Sequence, residues 1–177
     1  MDAAEIIHTL TPLVPGASYE VGRSIDFATV YVPSEHLVAT CRALVDAPAL
    51  RFSAIIEVTA ADYFPREPRY EVVYHLLSVP NRQRVRLKVR VPEGGTVPSV
   101  QTVWPGAGWP EREVWDMFGI VFDGHPDLRR LLMPELDPGR ARGQDGGRGR
   151  RFHGHDRLQA GRRGDDAADG AVPGRPA

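Results

Sequence analysis

The chain has 177 residues and a mass of 19.5 kDa, which fits one folded domain with an appendage better than two full domains. Its net charge of -1 gives no overall reason to expect nucleic-acid binding. No apolar run approaches the roughly 18 residues of a membrane-spanning helix, and the acidic N-terminus is unlike a secretory signal. The single cysteine, Cys41, cannot form a disulfide within the chain, hold an iron–sulfur cluster or build a zinc site. We therefore expect a protein that resides in the cytosol or faces it.

The last forty residues differ in composition from the rest of the chain. Residues 138–177 contain 10 of the 18 glycines and nine arginines against five aspartates, and Phe152 is their only aromatic residue. Such a segment cannot bury enough apolar surface to offset the backbone entropy of ordering, which is roughly 1–2 kcal/mol per residue. We predict a folded domain over residues 1–135 and a disordered Gly/Arg-rich tail over residues 136–177.

Three interpretations of this tail stay open. The first is RNA binding, although the repeated triplets and interleaved aromatic residues of RNA-binding Arg/Gly segments are barely present. The second is an extension without a function. The third is a frameshift, because 21 arginines against one lysine indicate a GC-rich gene. Read one base later, the codons of Leu136 and Asp137 can encode Trp, and those of residues 139–142 can encode Ala-Gly-His-Ala.

The periodicity of apolar residues predicts the elements of the folded part. Helical spacing predicts a helix over residues 3–14 that ends at Pro15-Gly16, and a second from Ser34, its N-cap, to about Asp46. Cys41 lies on the apolar stripe of the second helix, where we expect a buried structural thiol. Alternation and β-branched content predict four strands, over residues 27–32, 52–59, 70–79 and 84–91. Residues 92–98 are expected to end the sheet.

This order of elements predicts an α+β fold of two layers, a mostly antiparallel sheet with helices on one face. The strand over residues 84–91 alternates basic and apolar side chains, which is typical of a strand with one wet and one buried face. Its basic face admits two interpretations. A surface for a partner or nucleic acid is one, and the ordinary solvated face of a sheet, which we favour, is the other.

Residues 99–135 contain all three tryptophans together with many charges of both signs. Pro110 predicts the start of a helix and Gly119 predicts its end. The segment has carboxylates and an imidazole, but no nucleophile with a base partner, no phosphate-binding loop and no metal-spaced ligands. Paired charges beside bulky aromatic rings favour an interaction surface over a plain structural core, and an active site least of all.

Two stretches of this segment resemble a known family signature. They are residues 111–120, Glu-Arg-Glu-Val-Trp-Asp-Met-Phe-Gly-Ile, and residues 122–134, Phe-Asp-Gly-His-Pro-Asp-Leu-Arg-Arg-Leu-Leu-Met-Pro. Both closely resemble the 30-kDa subunit family of respiratory complex I, the bacterial NADH:quinone oxidoreductase. The resemblance covers roughly residues 20–135. After Glu135 the chain departs from the family, whose members usually continue with Asp-Trp and then Gly-His-Pro-Leu-Arg-Lys-Asp-Tyr-Pro.

The resemblance implies a cofactor-free structural subunit in the peripheral arm of a proton-pumping NADH:quinone oxidoreductase. Such a subunit lies on the cytoplasmic side of the bacterial cell membrane without spanning it, and it supports electron transfer by fixing the spacing of its neighbours. FMN, iron–sulfur clusters and quinone would be bound by partner subunits. No catalytic, cofactor-binding or metal-binding residue, and no nucleic-acid partner, is then expected of this chain.

The resemblance also implies a contact with the 49-kDa-type subunit that forms the quinone site. The residues carried over to this contact are those of the signature: Glu111, Arg112, Glu113, Trp115, Asp116, Phe118, Gly124, His125, Pro126, Asp127, Leu128, Arg129 and Arg130. We expect Arg112, Arg129 and Arg130 to pair with acids within or across the interface. The related alternative is the equivalent subunit of a complex-I-like membrane-bound hydrogenase. The unrelated alternative is a nucleic-acid-binding protein that uses the Arg-rich tail.

Overall fold

The computed structural model describes residues 1–132. The predicted tail over residues 136–177, with its three interpretations, lies outside the described residues. The described part contains three α-helices: α1 Ala3–Leu10, α2 Leu37–Asp46 and α3 Gly108–Phe118. It contains seven strands: β1 Glu20–Val21, β2 Ala28–Tyr31, β3 Ala54–Asp62, β4 Tyr70–Ser78, β5 Gln83–Val91, β6 Thr96–Pro98 and β7 Val121–Asp123. Single 3₁₀ turns precede α2 and α3.

Five of these strands form one sheet, in the order β1-β2-β5-β4-β3. The pairs β1–β2, β4–β5 and β3–β4 are antiparallel, and β2–β5 is parallel. In register, Leu87 of β5 lies opposite Val30 of β2 on one side and Tyr74 of β4 on the other. The prediction of a mostly antiparallel sheet is confirmed within this part of the chain.

One face of the sheet carries the hydrophobic core. The alternate residues of β5, from Val85 to Val91, are at most 1% exposed, and Tyr74 of β4 is fully buried. All three helices contribute apolar side chains to the same cluster, including Leu10 of α1, Leu44 of α2 and Val114 of α3. Alternation along the strands and a stripe along each helix therefore produce the two-layer α+β arrangement, as predicted.

The opposite face of the sheet is polar, and three of the four cations of β5 on this face are paired with carboxylates. Three ion pairs lie across it: Arg86 with Asp26 at 2.9 Å, Lys88 with Glu71 at 2.8 Å, and Arg90 with Glu20 at 2.8 Å. The guanidinium of Arg90 also lies 4.1 Å from the ring centroid of Tyr31. Because carboxylates of the same chain already neutralise these cations, the arrangement favours an ordinary polar sheet face over a nucleic-acid surface.

Several predicted boundaries were wrong, and each error has a local cause. The helix α1 ends at Leu10 rather than near residue 14, because Pro12 has no N–H to continue the helical hydrogen bonds. The strand β3 begins two residues later than predicted, at Ala54, and runs on to Asp62. Residues 92–98 were expected only to end the sheet, but they include β6, which pairs in parallel with β7 in a separate two-stranded sheet. Neither β7 nor the two-residue β1 was predicted.

Candidate subunit interface

The signature begins on α3, which packs beside the edge strand β3. A 3₁₀ turn over Pro105–Ala107 leads into the helix, so α3 begins at Gly108, two residues before the predicted start. Pro110 lies in the first turn, where its missing N–H leaves no helical bond unmade. Gly119 follows the last residue with φ of 74°, a left-handed conformation that glycine adopts without steric cost, and so ends the helix as predicted.

The inner face of α3 presents a buried carboxylate, that of Glu111. The side chain is fully buried and accepts two hydrogen bonds, from the Ser99 hydroxyl at 2.6 Å and from the Val100 N–H at 2.8 Å. Burial raises the pKa of Glu111 above its usual value, although both hydrogen bonds act in the opposite direction. These contacts tie α3 to the loop that follows β6, all within this chain.

A second internal contact fixes the loop of the signature to the start of α3. The side chain of His125 is 2% exposed. Its Nδ1 accepts the N–H of Asp127 at 3.0 Å, so the ring hydrogen lies on Nε2, which donates to the carbonyl of Gly108 at 3.0 Å. The same Nε2 lies 4.0 Å from a carboxylate oxygen of Glu111. The imidazole therefore locks the turn around Pro126 against the helix.

Arg112 joins the helix to the segment that follows this turn. Its side chain is 9% exposed, and its Nε donates to the carbonyl of Arg129 at 3.2 Å. Its guanidinium lies 3.7 Å from the carboxylate of Asp127, which also accepts from Nε of Arg129 at 3.0 Å. Its planar group stacks over the Trp109 ring, 5.1 Å from the centroid. The expected pairing of Arg112 and Arg129 with an acid thus occurs within the chain, and both share Asp127.

One helical turn further on, Asp116 holds the end of the same segment. Its Oδ2 accepts the N–H of Leu131 at 3.0 Å and that of Leu132 at 2.8 Å. A carboxylate that binds two backbone N–H groups fixes the direction of the main chain as well as its position. Residues 129–132 therefore run along α3, held at one end by Arg112 and at the other by Asp116.

The outer face of α3 exposes apolar side chains that the signature alone did not indicate. Trp109 is 68% exposed and Met117 is 54% exposed, with the exposed Glu113 between them at i, i+4 and i+8 spacing. That spacing could have revealed the stripe. Together with exposed residues of the following loop, it forms what we call the signature surface: Trp109, Glu113, Met117, Gly124, Pro126, Asp127, Arg129 and Arg130.

The other predicted interface residues lie behind this surface. Glu111 and Arg112 are buried, and Trp115, Phe118 and Leu128 are partly buried and packed against the core. Their contacts support the surface from within the chain. The interface role of the signature residues stays a prediction. The structure divides them into exposed residues, which a partner could contact, and buried or partly buried residues, which hold the exposed ones in position.

Metal ligation and membrane insertion find no support in the described part of the chain. Within residues 1–132, no group of three or more His, Cys, Asp or Glu side chains could hold a metal ion. No helix in the same range has the length and apolar character to cross a bilayer. Cys41 is fully buried and its burial raises the pKa of the thiol far above its usual value, as expected of a structural thiol.

The chain is thus an α+β domain in which the signature helix is joined by hydrogen bonds and ion pairs to the segment that follows it. Residues 30–140 match the family model described as the 30 kDa subunit of respiratory-chain NADH dehydrogenase. Among curated relatives, the C subunit of an NADH-quinone oxidoreductase from Roseiflexus sp. (strain RS-1) is 46% identical over 136 residues, which are 76% of this chain and 78% of the relative. The chain belongs to this 30 kDa family of NADH-quinone oxidoreductase subunits, and it is a subunit of a multi-subunit respiratory oxidoreductase.

Two solved structures resemble the chain in fold and sequence. One is a trypsin-resistant fragment, residues 1–134, of Nqo5, with a TM-score of 0.54, 30% identity, and coverage of 72% of this chain and 100% of the fragment. The other is a chain of the membrane-bound sulfane sulfur reductase, an archaeal respiratory membrane complex, with a TM-score of 0.58, 29% identity, and coverage of 78% and 79%. Both likenesses extend over most of the described domain.

Proposed function

We propose that this chain binds the 49-kDa-type quinone-site subunit of the peripheral arm through the signature surface. In this proposal the chain holds no cofactor, and the FMN, the iron–sulfur clusters and the quinone are bound by partner subunits. The chain lies peripherally on the cytoplasmic side of the bacterial cell membrane. Electron transfer depends on the spacing of cofactors in neighbouring subunits, and a rigid domain between them helps to keep that spacing fixed.

The observation that carries the proposal is the exposed stripe of Trp109, Glu113 and Met117 on a helix whose other faces are fully engaged. Tryptophan is enriched among the residues that dominate binding energy at protein interfaces. Here the ring is held by the Arg112 guanidinium, so little side-chain freedom is lost on binding. Arg130 adds exposed positive charge at the rim, where charged residues steer association, and Arg129 beside it is paired with Asp127.

Hydrogen bonds within the chain hold the signature surface in a fixed shape. Glu111 and His125 fix α3 to two separate loops by hydrogen bonds of 2.6–3.0 Å, and Arg112 and Asp116 fix the segment that ends at Leu132. A surface that keeps its shape before binding avoids the entropic cost of ordering. The signature charges thus support an interface without any of them having to act as an acid or base.

A related complex is the second candidate. The likeness to a chain of the sulfane sulfur reductase, an archaeal respiratory membrane complex, supports the idea that this fold also serves complexes with another reaction, as in the hydrogenase alternative. Identity is 29% to that chain and 46% to the Roseiflexus subunit. The difference favours the NADH-quinone oxidoreductase.

The proposal is tested by replacing the apolar stripe in cells that lack their own copy of the gene. We expect the Trp109→Ala/Met117→Ala variant to reduce the chain recovered in the assembled complex at least ten-fold, with a parallel loss of NADH:quinone activity in membranes. The matched control is Leu13→Ala/Val21→Ala, which removes two side chains that are 50% and 61% exposed, one in the turn after α1 and one on β1. Normal assembly of the stripe variant, or equal failure of the control, would overturn the proposal.

A further inference from the structure

The loop between β3 and β4 is a short, internally braced structure. Arg69 binds Asp62 with two parallel hydrogen bonds, of 2.9 Å from Nε and 2.6 Å from a terminal nitrogen, and binds Glu93 at 3.2 Å. The backbone N–H of Phe64 donates to the same Asp62 carboxylate at 3.0 Å, and the N–H of Tyr63 donates to the carbonyl of Arg69 at 2.9 Å. These bonds fix both ends of the loop, so its tip has a defined shape.

The braced tip presents one aromatic ring and one cation to solvent. Phe64 is 72% exposed, the highest value among the aromatic side chains of residues 1–132, and Trp109 follows at 68%. Arg66 is exposed and its guanidinium lies 5.0 Å from the ring centroid of Tyr63, and none of the carboxylates of the described residues forms an ion pair with it. Nothing in the core requires an exposed phenylalanine here.

The loop is connected to the signature helix by a row of ring contacts. The Arg69 guanidinium lies 5.3 Å from the Phe64 centroid and 4.8 Å from that of Tyr70. Tyr70 in turn meets Phe118, the last residue of α3, edge to face at 6.4 Å. A standard interface covers roughly 800 Å² on each partner, enough to include the end of α3 and this neighbouring tip.

We propose that Phe64 and Arg66 form a second anchor for the same neighbouring subunit that the signature surface binds. This inference rests on the proposed function. The Phe64 ring enters an apolar pocket of that subunit, and a carboxylate at the rim of the pocket pairs with Arg66. Asp62 and Arg69 are positioning residues, because they hold the tip in the shape that binds.

A membrane surface fits these observations less well than a protein. Anionic lipid attracts clusters of basic residues, whereas Arg66 is followed directly by the exposed Glu67, and Arg69 is already neutralised by Asp62 and Glu93. A single exposed ring also gives little apolar area for insertion into lipid. A protein pocket, by contrast, gains most from one rigid aromatic side chain at its centre.

Site-specific photocrosslinking in the assembled, purified complex tests the proposal. A benzophenone amino acid is placed at position 64, at position 117 in the signature surface, and at position 79 as a matched control. Val79 is 62% exposed and follows β4 at the end of the sheet opposite the loop. We expect positions 64 and 117 to capture the quinone-site subunit and position 79 not to capture it.

The other outcomes separate this inference from the proposed function. If position 117 captures the quinone-site subunit and position 64 captures lipid, another subunit or nothing, the second anchor is refuted and the proposed function stands. If position 117 captures no subunit, the proposed function fails at its own site. Capture of the quinone-site subunit from position 79 would overturn the inference, because the two ends of the sheet would then crosslink to that subunit alike.

Substitutions provide a second measurement with a fold control. We expect Phe64→Ala to reduce the chain recovered in the complex about ten-fold, and Arg66→Ala several-fold, while Val79→Ala has no effect. Urea unfolding of the full chain should be unchanged for all three, because each side chain is exposed. Asp62→Ala should also weaken assembly, although it leaves Phe64 in place. Normal assembly of the Phe64→Ala variant would refute the anchor.

Discussion

The hydroxyl of Ser99 donates a 2.6 Å hydrogen bond to the carboxylate of Glu111 in a site closed to solvent. The other carboxylate oxygen accepts the Val100 N–H. A carboxylate is costly to bury, so its presence under the signature helix has a structural reason: it satisfies two buried donors, the Ser99 hydroxyl and the Val100 N–H. Glu111 therefore helps to fix the orientation of α3.

Removal of the Glu111 side chain should destabilise the domain strongly, whereas its amide analogue should be tolerated. Glu111→Ala leaves a cavity and two unsatisfied donors, for which we expect a loss of about 2–4 kcal/mol in the free energy of unfolding. Glu111→Gln keeps the volume, can accept from Val100 and can donate to Ser99, so it should lie within about 1 kcal/mol of wild type. Urea unfolding of the full chain measures both. Equal stability of all three proteins would contradict this account.

The same substitution predicts a difference in pH dependence. Because the pKa of Glu111 is raised in the folded state, the folded chain holds this proton more tightly than the unfolded chain. The stability from this group is fully present below the ordinary glutamate pKa of roughly 4.3 and is lost as the pH rises through the raised value. As the pH rises from the ordinary pKa to the raised pKa, the free energy of unfolding of wild type should therefore fall relative to that of Glu111→Gln. Above the raised pKa, the difference between the two proteins should stay constant. A relative gain of wild type with rising pH would show the opposite shift.

Strong periodicity explains which elements could be predicted from the sequence. The strands β4 and β5 were predicted to within one residue, because the β-branched and aromatic content of β4 and the strict alternation of β5 are local signals. The end of α3 at Gly119 was predicted from a single glycine. The parallel neighbour relation of β2 and β5 was not, since it joins segments more than fifty residues apart and has no local pattern. The three-residue strands β6 and β7 are too short to show a period.

The candidate site shows the same limit. The sequence indicated a charged signature, but the burial of Glu111 depends on Ser99 and Val100, which lie on another loop, and no local pattern shows that they contact this side chain. The burial of Glu111 also explains why Trp109 and Met117 are exposed. The face of α3 that carries Glu111 lies against the domain, so the opposite face, which carries Trp109 and Met117, lies in solvent. A helical wheel of α3 would have shown the stripe but not which side was buried.

Asp116 should control the local stability of the segment that leaves α3. In the Asp116→Ala variant, the N–H groups of Leu131 and Leu132 lose a charged acceptor, and a hydrogen bond to a charged group contributes about 1.5–3 kcal/mol. We expect their hydrogen exchange to accelerate about 10- to 100-fold, as measured by NMR on the full chain. The control is Asp123→Ala, which removes a carboxylate that accepts from Thr96 at 2.7 Å elsewhere. Unchanged hydrogen exchange of Leu131 and Leu132 in the Asp116→Ala variant would show that Asp116 does not stabilise this segment.

The boundary of the folded domain near residue 135 also stays a prediction, and limited trypsin digestion tests it. The related Nqo5 fragment of residues 1–134 is trypsin-resistant. If the composition of residues 136–177 prevents folding, trypsin should first cut after the arginines of that segment that no proline follows, from Arg140 to Arg163, and leave one large product. Cuts at the exposed Arg129 and Arg130 should follow more slowly, and Arg86, which is paired with Asp26, should be cut last.

Intact-mass spectrometry over a time course identifies the products, with a urea-unfolded sample as the control. A tail that survives as long as the domain, or early cuts within β5, would contradict the predicted boundary.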